Sequence, residues 1–320
     1  MPPRSTWILT EGLAGTEAPC RGLARALGVE PVVKRVRVRQ PWDFLPGRLW
    51  VRPLAAPTAD SDELRPPWPE LLISSGNVAA PLAVAIKRAS GGTTRLVHVQ
   101  NPKLRLDRFD LVIAPRHDAI SGPNVLTIRA TLHGLTPDSL TQAALEWTPR
   151  LRHLKRPLVA VLIGGSNRRF ALTPARVAAM AGELRALIHD QGMGLAVTPS
   201  RRTGAANAAL LQAELGPEGA FIWDGQAANP YLGLLALADF ILVTQDSVSM
   251  ISEAIGTAKP VYWIRLPGKS RRLQRFVDDL TADGVVREFR GAQTPLERWS
   301  YTPPDDTARA AAEIRRRFGW

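Results

Sequence analysis

Val243-Thr-Gln-Asp-Ser-Val-Ser-Met-Ile-Ser-Glu-Ala-Ile-Gly256 runs from an apolar strand through a short polar turn into a helix, and its reading decides the fold. The strand before it is Asp239-Phe-Ile-Leu-Val-Thr244 and the one after it is Pro260-Val-Tyr-Trp-Ile264. A buried parallel strand that ends in Asp246-Ser247 and then opens a helix gathers free backbone N–H groups at one point. The positive end of the helix dipole lies there too, which suits a phosphate. Glu253 falls two turns into the helix, near the face of Ser249, where its carboxylate can accept from ribose hydroxyls. An ordinary strand-to-helix turn, with Asp246 or Ser247 as nothing more than a cap, has the same letters.

The pattern occurs twice more upstream. Pro157-Leu-Val-Ala-Val-Leu-Ile-Gly-Gly-Ser-Asn167 is a near-continuous apolar run, as expected for a strand covered on both faces. It ends in Gly164 and Gly165, which let the backbone approach a ligand closely. Thr173-Pro174 begins the next helix with a cap residue and a proline at the first position, so residues 166 to 172 form a loop over the sheet's carboxyl edge. Open α/β sheets bind their ligands at that edge. Leu195-Ala-Val-Thr-Pro-Ser200 brings Arg201 and Arg202 there, ahead of a helix from about Gly204. Two guanidinium groups beside two helix starts suit a diphosphate, although in a chain this rich in arginine the pair also reads as solvated surface.

Length and composition bound these readings. The chain has 320 residues, 45% of them hydrophobic, which suits two domains of comparable size, each with its own core. The net charge of +12 is spread evenly: 19 Lys and Arg against 13 Asp and Glu in residues 1–150, and 22 against 16 thereafter, so each half carries +6. Such a surface fits anionic membranes, nucleotides or nucleic acid without choosing among them. Only six of the 41 basic residues are Lys, so the arginine abundance reflects coding bias as much as function. The chain shows neither zinc-finger spacing nor an aromatic RNA-binding signature, and nucleic acid is not expected as a partner. Cys20 is the single cysteine, which excludes an internal disulfide and points to a reducing compartment. His98, His117, His133, His153 and His189 are scattered, so no metal is expected. No apolar run reaches the length of a membrane span and the N-terminus lacks an apolar signal segment. The expectation is a cytoplasmic protein, with peripheral contact on the inner face of the membrane left open.

The first half reads as its own α/β unit. Thr6-Trp-Ile-Leu-Thr10 is a strand, followed by a turn from Glu11 to Gly15 and a helix from Thr16 to Leu27 closed by Gly28. Residues 31 to 38 alternate as a strand with one wet face, and residues 41–69, with seven prolines, form an irregular connection with short helical pieces. Strands follow at 70–75, 95–100, 110–115 and 125–128, with helices at 78–89 and 138–154. Alternating strands and helices in both halves predict two doubly wound, Rossmann-like domains, residues 1–155 and 156–320, whose carboxyl edges face each other across a cleft. A last amphipathic helix, Asp305 to Phe318, is expected to pack on the second domain.

Gly164-Gly-Ser166, Ser200-Arg-Arg-Thr203, Asn229-Pro-Tyr231 before Leu237-Ala-Asp239, and Asp246-Ser-Val-Ser-Met-Ile-Ser-Glu-Ala254 before Gly256 and Lys259-Pro260 together resemble the mitochondrial fission ELM1-like family. In the first half the resemblance continues through Glu11-Gly12, Ser75-Gly-Asn-Val-Ala-Ala-Pro81, Val99-Gln-Asn-Pro102, Phe109-Asp-Leu-Val112 and Pro115-Arg-His-Asp118. It therefore covers nearly the whole chain. Asn101 stands where an acidic residue is usual, and Gly134 where a basic one is. Plant relatives are known as dynamin-recruiting factors, whereas bacterial members resemble GT-B nucleotide-sugar glycosyltransferases.

The resemblance implies a GT-B fold with an acceptor side in the first domain and a nucleotide-sugar side in the second. Gly164, Gly165 and Ser166 would lie against the diphosphate, Ser247, Val248 and Ser249 would donate to it, Glu253 would take the ribose, and Trp223 would lie near the base. Arg201 and Arg202 are the first groups to stabilise the leaving diphosphate, with Lys269 and Arg271 as spares on a loop. The base that deprotonates an acceptor hydroxyl is sought among Glu11, Asp118 and His117, in that order, each beside a strand end. His98 also ends near a strand edge but reads better as a core histidine.

Three functions fit this pattern. The first is transfer of a sugar from a nucleotide-activated donor, bound as substrate and not as a permanent cofactor, to an envelope glycan or lipid-linked acceptor, with the stereochemistry open. The second is a non-catalytic, protein-recruiting adaptor on the same fold. The third is a sugar-nucleotide 2-epimerase. Polar residues at nearly every strand end favour the first.

Overall fold

The computed structural model describes residues 3–320, which form two compact units: one reaching to Gly134 and resuming over Asp305–Trp320, the other spanning Leu135–Pro304. In the first, β1 (Thr6–Thr10), β2 (Val32–Arg35), β3 (Leu71–Ser75), β4 (Arg95–Val99), β5 (Leu111–Pro115) and β6 (Val125–Ile128) build one parallel sheet in the order β2-β1-β3-β4-β5-β6. β1, β3 and β5 are buried at every position, as expected where helices cover both faces of a parallel sheet. α1 (Ala14–Leu27) ends at Gly28, whose left-handed backbone lets its N–H and the next reach back to the Arg25 and Ala24 carbonyls. α2 (Ala79–Ala89) covers the other face.

The second unit opens with α3 (Pro137–Leu151) and then winds β7 (Leu158–Ile163), α4 (Pro174–His189), β8 (Gly194–Pro199), α5 (Ala205–Leu215) and β9 (Phe221–Ile222). It continues through α6 (Tyr231–Leu237), β10 (Phe240–Thr244), α7 (Val248–Ile255), β11 (Val261–Ile264), α8 (Arg271–Ala282) and β12 (Val286–Phe289). Its strands are also all parallel, in the order β12-β11-β10-β7-β8-β9. Strand order reverses between β1 and β3 in one sheet and between β7 and β10 in the other. In open α/β sheets neighbouring helices leave on opposite faces at such points, and ligands bind there at the carboxyl ends.

The boundary differs from the sequence expectation of 155/156. α3 belongs with the second unit because Trp147 packs on α6 at Gly233, so closely that a Cβ there would lie 2.3 Å from the indole. The terminal helix α9 (Asp306–Phe318) differs too, packing on the first unit instead of the second. Its small face, Ala310 and Ala311 with Ile314, joins the α1 core around Cys20, Leu23 and Ala24. The Asp306 carboxylate accepts from the backbone N–H groups of Arg129 and Ala130 at 2.8 and 2.9 Å, fixing the helix to the chain after β6. α8 and β12 also escape the sequence reading. α8 turns only Phe276, Val277 and Leu280 inward among charged neighbours, and β12 is a four-residue edge strand.

His98 lies inside β4, wholly buried, with Nδ1 2.8 Å from the Ser74 hydroxyl and its ring 5.3 Å from that of Phe109. Burial lowers its pKa to about 3, so the folded protein holds it neutral.

Two predictions follow from this packing. Ile314→Ala, which empties a fully buried site, should cost about 2–5 kcal/mol. Hydrogen exchange should then accelerate in β1 and β4; acceleration confined to the second unit would contradict the assignment of α9. The second concerns acid. Because the folded pKa of His98 lies below the unfolded value of 6.5, its contribution to stability is complete above pH 6.5 and is lost as pH falls towards about 3. In urea denaturation His98→Gln should flatten the pH dependence in that window by up to one proton, about 1.4 kcal/mol per pH unit. Equal slopes would show that the imidazole charges freely in the folded state.

Candidate functional site

At the β7/β10 switch point three chain segments meet. β7 delivers Gly164 and Gly165, whose N–H groups donate to the Thr244 hydroxyl (2.8 Å) and to Asp246 Oδ2 (3.1 Å). Glycine is required twice. A Cβ on Gly164 would stand 2.3–2.4 Å from the Asp246 carboxylate oxygens, and one on Gly165, at φ +152°, 2.1 Å from the Arg202 carbonyl. The turn after β8 is braced against the same point, since the Ser200 and Thr203 hydroxyls both donate to the Gly164 carbonyl at 2.6 Å.

Asp246 is the centre of this arrangement. Its side chain has no solvent exposure, and Arg202 Nη1 lies 2.7 Å from Oδ2. Burial raises its pKa, while Thr244, Arg202 and the Gly165 N–H pull the other way. The expected arginine pair therefore divides. Arg202 holds the protein's own carboxylate, and Arg201 remains exposed. Ser247 caps α7, its hydroxyl accepting from the Met250 N–H at 3.4 Å, so the cap reading of this residue holds. Val248 and Ser249, both partly buried, form the first turn, where helical N–H groups lack intrahelical partners.

Glu253, on α7, accepts a short hydrogen bond from the Tyr231 hydroxyl at the start of α6. Burial raises the Glu253 pKa, and burial together with the adjacent carboxylate pushes the Tyr231 hydroxyl well above its usual range. Tyr231 was not singled out from the sequence, although Asn229-Pro-Tyr231 marked the position. Ser166 turns its hydroxyl into its own loop, accepting from the Leu172 N–H at 2.9 Å. Trp223 braces the turn after β9, its indole N–H donating to the Ala227 carbonyl at 3.1 Å.

A cleft of about 1110 Å³ opens beside the switch point, lined by Phe170, Gln245, Lys269, Ser270, Arg271 and Arg290 among others. Gln245, missed by the sequence reading because it sits between the conspicuous Thr244 and Asp246, is 2% exposed and accepts from the Leu266 N–H. Both spare cations reach this cleft. Arg271 does so as the first residue of α8 and not from a loop.

In the first unit, Glu11 follows β1 directly and its Oε1 accepts from the Val78 N–H at 2.8 Å. It thereby caps α2, which has no side-chain cap of its own. It also borders a polar crevice of about 380 Å³. His117 and Asp118 lie in a 3-10 turn after β5 with side chains only 1% and 4% exposed, His117 Nε2 standing 3.8 Å from Asp118 Oδ1. Asp118 Oδ2 accepts from the Asn101 N–H at 3.2 Å, so this carboxylate ties the ends of β4 and β5 together.

Two doubly wound, all-parallel six-stranded sheets give the chain a GT-B-like fold. It belongs to the mitochondrial fission ELM1 family, whose model matches residues 14–318. The mitochondrial fission protein ELM1 of Arabidopsis thaliana is 34% identical over 281 residues, 79% of this chain and 65% of that protein's length. Among solved structures, the UDP-GlcNAc 2-epimerase of Neisseria meningitidis bound to UDP-GlcNAc is 12% identical with a TM-score of 0.51, covering 98% of this chain and 91% of its own. The spinosyn forosaminyltransferase SpnP is 15% identical with a TM-score of 0.53, covering 98% and 94%.

The crowding at Asp246 generates a prediction. Gly164→Ala should cost about 1–3 kcal/mol by overpacking, and clearly less in an Asp246→Ala background, where the opposing carboxylate is gone. Urea denaturation of the four proteins measures the coupling. An equal cost in both backgrounds would mean that Gly164 is not held against Asp246.

Proposed function

We propose that the second unit binds the diphosphate of a nucleotide-sugar at the β7/β10 switch point, and that the protein transfers the sugar to an acceptor hydroxyl on an envelope glycan or lipid-linked acceptor. The observation that carries this reading is that the end of β7, at Gly164 and Gly165, packs directly against the start of α7. The first turn of that helix offers N–H groups to an anion. Val248 and Ser249 donate to the phosphates, Arg201 lies over them, and Glu253, oriented by Tyr231, accepts from the ribose. Lys269 and Arg271, in the adjoining cleft, offset the charge of the leaving diphosphate. Structural neighbours of this fold include a protein bound to UDP-GlcNAc and a named transferase, which agrees with the ligand class.

A second reading, a non-catalytic protein-recruiting adaptor, is favoured by one specific observation. The three residues considered as base are all engaged: Glu11 on the Val78 N–H, Asp118 on the Asn101 N–H, and His117 buried beside it. The name of the Arabidopsis relative agrees with that reading.

Thermal-shift screening against UDP-, GDP-, ADP- and CMP-sugars distinguishes the two, because a ligand at a hundred times its dissociation constant stabilises by about 2.7 kcal/mol. Transfer predicts a positive hit, with Glu253→Ala weakening it by about 1.5–3 kcal/mol in calorimetry. A flat screen would favour the adaptor, and unchanged affinity in the variant would place the nucleotide elsewhere.

A further inference from the structure

Of the eight large apolar side chains that stand exposed among the described residues, four fall within residues 44–51: Phe44 and Val51, each 75% exposed, with Leu45 and Leu49. Their exposure is built in. The indole N–H of Trp42 donates to the Val51 carbonyl at 3.2 Å and that of Trp50 to the Leu45 carbonyl at 2.9 Å, so both tryptophans tie the segment into a fixed loop. Arg39 stacks over the Trp42 ring, 5.6 Å from its centroid, and donates to the Ala55 carbonyl at 2.9 Å. Trp50 and Leu54 pack inward on the α2 core, which leaves Phe44 and Val51 at the outer edge. A contiguous exposed apolar patch on an ordered loop marks a surface that meets something.

Charge says what it meets. Between this loop and α2 lies a groove of about 800 Å³ with Trp50 and Leu54 on its wall and Arg48, Arg52, Arg88 and Arg108 around it, and no acidic side chain lines it. Asp43 is the one acid within the loop itself, against Arg39, Arg48 and Arg52. Apolar tips flanked by tryptophans and ringed by unopposed guanidinium groups match the headgroup boundary of an anionic bilayer. There the aromatic and aliphatic groups enter the acyl region and arginine meets phosphate. No described helix is long and apolar enough to cross a membrane.

We propose that residues 42–54, with Arg88 and Arg108, form a docking face for an anionic lipid bilayer. Phe44 and Val51 insert at the headgroup boundary, and the four arginines bind lipid phosphates. This assignment is independent of the nucleotide site in the other unit.

Sedimentation of the full chain with vesicles tests it. The protein should bind mixed phosphatidylcholine–phosphatidylglycerol vesicles, fail to bind phosphatidylcholine alone, and release as salt is raised. Phe44→Ser with Val51→Ser, and separately Arg48→Glu with Arg52→Glu, should each weaken binding by about tenfold or more. Arg150→Ala with Arg152→Ala, exposed on and just after α3, should leave it unchanged. All these side chains are solvent-exposed, so each variant should melt as the wild type does, which shows that it is folded. Failure of the wild type to bind mixed vesicles would overturn the proposal. So would equal binding by the loop variants, or an equal loss in the α3 variant, which would assign binding to the overall charge. Capture of a protein partner through this loop without vesicle binding would also overturn it.

Discussion

The buried carboxylate of Asp246 fixes the second unit's crevice. Held out of water at the carboxyl end of β10, it costs free energy unless donors meet it; the Gly165 N–H and the Arg202 guanidinium do so at Oδ2, while the buried Oδ1 has no hydrogen-bond partner among the described residues. Satisfying it draws the end of β7 and the turn after β8 to the start of α7. That approach is close enough to exclude any side chain at positions 164 and 165. Ser200 and Thr203 then lock the turn by donating to the Gly164 carbonyl. The geometry available to a ligand, two glycines facing a helix start, is a consequence of this one internal anion.

The same interaction limits the crevice. Arg202 is neutralised internally, so on the proposed reading an incoming diphosphate meets backbone N–H groups first and Arg201 second. The remaining cations belong to the adjoining cleft. Backbone donors are pre-organised and keep their position when a ligand leaves, which suits them to recognise charge and shape more than a particular base. Glu253 adds the directional element, with Tyr231 holding its carboxylate toward α6.

Much of this was legible in the chain itself. The buried strands declared themselves as unbroken apolar runs, and the glycine pair, the α7 start and the helix caps at Thr173 and Gly28 were evident from local chemistry. What was hidden depended on partners far away in sequence. Arg202 could not be told from solvated arginine until Asp246 was seen 2.7 Å away, nor Glu11 from a free base until it was found on the Val78 N–H. The terminal helix carries an amphipathic pattern that fits either unit. The packing of Ala310, Ala311 and Ile314 on the α1 core and the Asp306 contacts with residues 129 and 130 decide which. Membership of the ELM1 family agrees with the motifs, while the fold alone, shared with transferases and epimerases, leaves the chemistry to the site.

The most direct test of the account is where a nucleotide-sugar binds. Titration of the isotope-labelled protein with UDP-GlcNAc and its GDP, ADP and CMP counterparts, followed through backbone amide resonances, reports this residue by residue. Binding at the β7/β10 switch point predicts that one of them shifts Gly164, Gly165, Val248 and Ser249 while β6 and α9 stay still. Saturating shifts confined to other residues, or none with any of the four, would contradict it.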